Sequence, residues 1–526
     1  MSPHLRIGVS RRKGRGSMLR EVSVLPLIAL GLFAAIVAFP FCSAGEWLAE
    51  EIVDPADSTE QLTSQESHWC IDVDGLGRVH VAWEDWRSIE DSEIRYSSRL
   101  PGIGWSTETF RVNQGGTYAQ NPTVCSDDNG NVFVAWQDER STHGVFEVWY
   151  RMYSVTTGWD SVEAVLDNPS DRSAHAPSAA MDDEGNVHVV WLRETTPPNN
   201  KLLYKKYNPA TGWSNAVTLS VGVAGVSEHP VILEESGTLH VVWSQYTLAE
   251  GRCIYYRRYS PGVGWDSVAT KVSDTYTGTD PSIAVDPEGN IHVVWTVWFS
   301  DLEQEVAYRR WTPGTGWGAD VFYVTENDSI PSMYPTVACD GAGCVHVIWQ
   351  DYVPGGYTTL YERIYCPDSG WGEITAPVGE GWQTDRAHLK ADICGNLHLV
   401  WSDCRAGCCM LYYSEWDAAT SSVISEEEIS SPLCKPIVVV VPNPSRGAME
   451  IRYTNSLSGI SGDVTVRVYD VLGHLLCRLP IEETSSGGVA RWDGCDRSGR
   501  PVAPGTYFCV ISADNHVTTH KIVLER

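Results

Sequence analysis

The chain has 526 residues, 67 acidic against 38 basic, and a formal net charge of −29 at pH 7. That length exceeds what one hydrophobic core serves and calls for several domains or a repeat array. The acidity excludes nucleic acid as a partner, because phosphate binding needs a basic footprint.

At the N-terminus, the apolar run from Val22 to Phe41 follows Arg11, Arg12, Lys13, Arg15 and Arg20 and ends in the small residues Cys42-Ser43-Ala44. This is the pattern of a secretion signal with its cleavage site. Residues 1–44 are therefore read as a signal peptide. The alternative is an uncleaved anchor, for which about 20 apolar residues suffice. After cleavage no integral membrane domain is expected.

Residues 66–430 repeat. Seven runs end in a tryptophan, at Trp83, Trp136, Trp191, Trp243, Trp295, Trp349 and Trp401, at intervals of 52 to 55 residues. A period near fifty marks a propeller or a solenoid. Each unit holds four short β-type runs and no helical periodicity, which decides for propeller blades. In the fifth unit the runs are Pro281–Val285, Ile291–Thr296, Glu305–Trp311 and Val321–Val324.

The first two strands of each blade are joined by a turn such as Asp286-Pro287-Glu288-Gly289-Asn290. Its glycine supplies a positive φ, and its aspartate accepts turn N–H groups rather than a calcium ion. Histidine recurs in the second strand at His80, His188, His240, His292, His346 and His398, with Phe133 in the remaining blade. Side chains from different blades at one radius do not converge on a metal, so these histidines are read as core residues with one satisfied nitrogen. Third-strand Tyr96, Tyr150, Tyr204, Tyr256, Tyr308, Tyr361 and Tyr413, with Gly-Trp turns at Trp105, Trp159, Trp213, Trp265, Trp317 and Trp371, fill the wedges between blades.

Blade seven lacks the Gly-Trp tryptophan; Ser422 stands there. Within the N-terminal segment 45–65, Glu46-Trp47 and Ile52-Val53 offer a strand that closes the ring, and Ser421–Glu428 offers another. Cys404, Cys408 and Cys409, near Cys394, fit no zinc spacing and are read as local disulfides.

A ligand belongs on the face carrying the loops between second and third strands and between blades. There, blades one, two and seven carry Asp85-Trp86-Arg87, Asp138-Glu139-Arg140 and Asp403-Cys404-Arg405. One reading is a polar sector that binds a carboxylate or a sugar through Arg forks and Asp acceptors; the other is that each Arg pairs with its own Asp across a tight loop. Trp86, Tyr118, Tyr246, Tyr276, Trp298, Tyr334, Tyr352 and Trp382 add aromatic faces to these loops.

The repeat Asp-x-x-Gly-Asn-x-His-Val-Val-Trp resembles a degenerate form of the Asp-box repeat of sialidase propellers. That family implies an arginine triad, a Tyr-Glu nucleophile pair and an acid Asp. Arg87, Arg140 and Arg405 imitate the triad, but no Tyr-Glu pair is assignable, so no catalytic residue is named. From 431 to 526 the pattern changes to Val440-Val441-Pro442-Asn443-Pro444, Val464–Gly473, Trp492-Asp493-Gly494 and Pro504-Gly505-Thr506-Tyr507. This order resembles the Ig-like module of flagellar hook-capping proteins and the C-terminal sorting domains of type IX secretion. The resemblance implies export to the outer surface of a bacterium through that machinery, and Cys477, Cys495 and Cys509 add the prospect of a local disulfide.

The expected fold is all-β, a seven-bladed β-propeller followed by a small Ig-like β-sandwich. The expected function is an extracellular binding or adhesion protein for a glycan or a surface protein, with no cofactor or metal. Asp85, Trp86, Arg87, Asp138, Arg140, Trp382, Asp403 and Arg405 are its candidate ligand-binding residues. The rival readings are a sialidase-like glycoside hydrolase and a structural surface component.

Overall fold

The structure is a computed structural model that describes residues between 46 and 417 and between 438 and 524, each stretch with short breaks. The segment read as a signal peptide and the alternative closing strand Ser421–Glu428 lie outside the described residues. Every described regular element is a β-strand, in keeping with the all-β expectation, and no described helix is long and apolar enough to cross a membrane.

The propeller segment forms seven antiparallel sheets. Their first strands, Ile71–Val73, Ala119–Ser126, Ala174–Met181, Val226–Glu235, Gly278–Val285, Ser332–Cys339 and Thr384–Ala391, touch one another in that order, and the last touches the first. The contacts therefore form a closed ring. The fully buried second-strand tryptophans, from Trp83 to Trp401, pack into clusters that straddle neighbouring sheets. In the fifth sheet the strands are Gly278–Val285, Ile291–Ser300, Glu303–Thr312 and Gly316–Trp317, with Phe322–Tyr323 also paired to the third strand. The expected fourth run thus pairs with the third strand, and a two-residue pairing at the Gly-Trp turn precedes it.

Between sheets, each Gly-Trp ring packs edge-on to the third-strand tyrosine of the preceding sheet, as Trp159 does to Tyr96 and Trp317 to Tyr256. In sheet seven that place is taken from the N-terminus. Glu46–Trp47 pairs with Met410–Asp417, Trp47 opposite Trp416, in the register in which Trp159 faces Tyr153. The Trp47 Nε1–H donates to Glu362 of sheet six at 3.0 Å. Lys390 on sheet seven bonds Asp72 on sheet one at 3.0 Å, across the closure.

Four of the recurrent histidines, His80, His188, His292 and His346, use both ring nitrogens, one more than the sequence required. His292 Nδ1 meets the Tyr308 hydroxyl at 2.8 Å and Nε2 meets Asp286 at 3.0 Å, while the other Asp286 oxygen accepts the Asn290 N–H. The turn aspartate thereby joins the hairpin to the wedge. In blade six the partner is Glu362 at 2.7 Å, not Tyr361, which lies one residue out of register. Among the described residues two disulfides, Cys344–Cys366 in blade six and Cys404–Cys409 in blade seven, are local.

The C-terminal segment forms two four-stranded sheets, Val438–Val441, Met449–Thr454, Gly487–Trp492 and Ile481–Thr484 against Leu475–Leu479, Thr465–Tyr469, Gly505–Ala513 and His516–Leu524. Both contribute to one core containing Ile451, Val466, Trp492 and Ile511, the packing of a small sandwich. Its Cys477, Cys495 and Cys509 are free thiols, so the expected disulfide is absent. Cys477 and Cys509 face Val468 from opposite sides in one sheet, about two strand spacings or ~9.5 Å apart, too far for a bridge.

Candidate ligand-binding face

The first strand of each of blades two to seven carries one extra residue against the second strand, a β-bulge. At each bulge one non-glycine residue has a left-handed backbone: Asn121, Ala176, His229, Asp280, Tyr334 and Arg386, with φ between 21° and 54°. Five of the six precede a proline, which a bulge tolerates because the residue owes no ladder N–H. The same backbone feature thus presents a different side chain in each of these blades.

A bulge amide is latched by the residue after the preceding blade's tryptophan. Asn121 N–H donates to Glu84 at 2.6 Å, Ala176 to Gln137 at 2.9 Å, Tyr334 to Thr296 at 3.1 Å and Arg386 to Gln350 at 3.3 Å. In blade three that residue is Leu192, which has no side-chain acceptor and instead lines a cavity of about 750 Å³.

This cavity lies at the starts of first and third strands and the ends of second strands, the face expected to bind. Four bulge residues in succession, His229, Asp280, Tyr334 and Arg386, line it together with Glu228, Tyr246, Arg252 and Trp298. Arg252 forks onto Glu228 at 2.7 and 3.3 Å and lies over the Tyr246 ring. The Glu228 hydrogen bond holds the Arg252 guanidinium above its ordinary range. Asp280 is buried and sits 3.7 Å from His229 Nε2 and 3.9 Å from Arg386 Nη1. Arg386 in turn stacks on Tyr334 at 3.9 Å. Burial raises the Tyr334 phenol, an effect the Arg386 charge opposes. The Trp298 indole is fixed by a 2.9 Å bond to Thr279 Oγ1, and His229 Nδ1 is buried without a hydrogen-bond partner among the described residues.

The sector expected on blades seven, one and two is organised differently. Asp138 and Asp403 are fully buried. Arg140 binds Asp138 at 2.6 Å and also Glu163, and Arg405 binds Asp403 at 2.5 Å and Glu50 at 2.7 Å. Burial pushes the Asp138 carboxyl up, and the Arg140 bonds only partly restore it. Asp85 pairs with Arg95 of its own blade at 3.2 Å. Trp86 bonds Glu84 and packs edge-on to Tyr118. Arg87 is the penultimate residue of the strand Val79–Ser88, with its side chain outside the described residues, as is Trp382. Among the pairs whose side chains are described, the Asp-x-Arg motif fastens its own loop.

Sequence reasoning found Tyr246, Trp298 and Tyr334 of the cavity and missed Glu228, His229, Arg252, Asp280 and Arg386. The signal that marks two of the three missed bulges is the Xaa-Pro pair inside a strand, in His229-Pro230 and Asp280-Pro281. Among the described residues no group of His, Cys, Asp and Glu is placed to hold a metal ion.

No curated protein matches the chain. Solved structures with a similar fold include a protein of unknown function from Dyadobacter fermentans, 10% identical with a TM-score of 0.42, covering 58% of this chain and 96% of that one. The Hadza microbial sialidase Hz136 is 11% identical with a TM-score of 0.40, covering 62% and 74%. PorZ, a surface component of the type IX secretion system of Porphyromonas gingivalis, is 15% identical with a TM-score of 0.38, covering 86% and 58%. Residues 439–525 match the family model of the secretion system C-terminal sorting domain, the mark of a protein that the type IX system delivers to the extracellular space or the outer cell surface.

Proposed function

We propose that the protein is a secreted or cell-surface binding protein that holds a ligand in the cavity bounded by Leu192, Tyr246, Trp298 and Arg386. The C-terminal module serves export or attachment. One observation carries this reading: four adjoining blades place chemically different side chains on one repeated bulge, and those side chains line a single cavity on the loop face. Residues that only hold a ring together have no reason to differ from blade to blade, whereas residues that recognise an asymmetric ligand must. The cavity's size lies within the range of about 300–1,000 Å³ typical of small-ligand sites, and aromatic walls with a few fixed polar groups are their usual lining.

On this reading Asp85, Asp138, Arg140, Asp403 and Arg405 shape the neighbouring rim rather than touch the ligand. The test compares Trp298→Ala with Arg140→Ala in binding of the secreted protein to glycan arrays and to extracts of bacterial and host surfaces. Loss of one specific signal in Trp298→Ala and its retention in Arg140→Ala supports the cavity; the reverse pattern moves the site to blades seven, one and two.

A further inference from the structure

We infer that the cavity takes an uncharged saccharide, a short glycan end without carboxylate, sulfate or phosphate. This rests on the binding reading above and narrows its ligand class. Charge in the cavity is balanced. In a chain of net charge −29, the cavity sets two guanidiniums, Arg252 and Arg386, against two carboxylates, Glu228 and Asp280.

The four are engaged with one another. Arg252 has both Nε and Nη2 on Glu228, at 2.7 and 3.3 Å. Asp280 faces His229 and Arg386 at 3.7 and 3.9 Å. An anionic ligand must compete with Glu228 and Asp280 for these cations, and a cationic ligand must compete with the arginines. A hydroxyl both donates and accepts, so it bonds the outward N–H groups and the carboxylate oxygens without separating either pair.

The wall is aromatic. Tyr246 and Tyr334 each lie beneath an arginine, and Trp298 is pinned through its indole N–H to Thr279. Rigid amphipathic rings of this kind match the C–H faces of a pyranose.

The experiment is an array of neutral, sialylated, uronate and sulfated glycans probed with the secreted full chain. Titration of the strongest neutral oligosaccharide follows at low and high salt. We expect neutral glycans to bind, with affinity changing less than about twofold between 50 and 500 mM salt because no net charge is screened. Asp280→Asn and Trp298→Phe should each weaken binding about tenfold; Trp298→Phe keeps a ring in place and guards against misfolding. Preference for acidic glycans, with affinity falling steeply as salt rises, overturns the inference. So does the absence of any glycan signal while Trp298→Ala abolishes capture of a surface protein, a result that leaves the cavity as binding site intact. Binding to neutral glycans that both cavity variants leave unchanged refutes the cavity itself.

Discussion

His346 is fully buried between Asp340 at 3.4 Å and Glu362 at 2.7 Å. Burial alone favours its neutral form, but the two carboxylates outweigh it and raise the imidazole from 6.5 to about 9. Its stabilising contribution is therefore complete below pH 6.5 and is lost as pH rises towards 9, on the order of 3 kcal/mol across that window. His188 and His240 behave oppositely: burial holds both down to about 4. The unfolded chain takes up their protons first, so stability falls as pH drops from 6.5 towards 4. Thermal unfolding across pH 4 to 10 checks both, since His346→Gln should remove the alkaline loss and His188→Gln should soften the acid one. The sequence made these histidines visible as a repeat, but not their different charge states. The distinction comes from one third-strand residue, Glu362 where the other histidines meet tyrosine, and the Tyr361 beside it hid the change.

Among the elements, the N-terminal strand Glu46–Trp47 carries the most structural consequence for its length. Trp47 occupies the place that Gly-Trp fills in the other blades, packs edge-on to Trp416 and bonds Glu362. Trp47→Ala should cost about 2 kcal/mol, below the ~3–5 kcal/mol usual for a fully buried aromatic because the ring is only partly buried, and denaturant unfolding measures it. Reducing the Cys344–Cys366 bridge, which spans 22 residues, should cost about 3 kcal/mol by the chain-entropy account; the midpoint shift of a Cys344→Ala/Cys366→Ala variant checks this. Much of the element pattern was legible because a two-residue alternation and a recurring Trp survive any change of loop. The fourth run Val321–Val324 was legible, since Phe322–Tyr323 pairs with the third strand, whereas the additional two-residue pairing at Gly316–Trp317 was too short to show in the apolar pattern. The bulges were missed because a one-residue insertion leaves the apolar pattern intact on both sides and shows only as Xaa-Pro.

At the scale of the molecule, the ring of seven sheets supplies a repeated backbone and the cavity breaks its symmetry. Loop sequences alone drew attention to Asp85, Asp138 and Asp403, where a charged motif recurs. The described pairs are satisfied locally, Asp138 with Arg140 and Asp403 with Arg405. Bulges at His229, Asp280 and Tyr334 share a following proline and Arg386 does not, and nothing in the linear sequence gathers the four at one cavity; only ring closure does. A chain ending before residue 439 lacks the segment matching the sorting domain, and cell fractionation should find it retained inside the envelope rather than delivered to the surface. The most direct test of the binding account is a titration of the secreted protein and its Asp280→Asn variant against the ligand found by array or capture. The account predicts about tenfold weaker binding by the variant at a temperature where its melting curve shows it folded; equal affinity in the two proteins contradicts it.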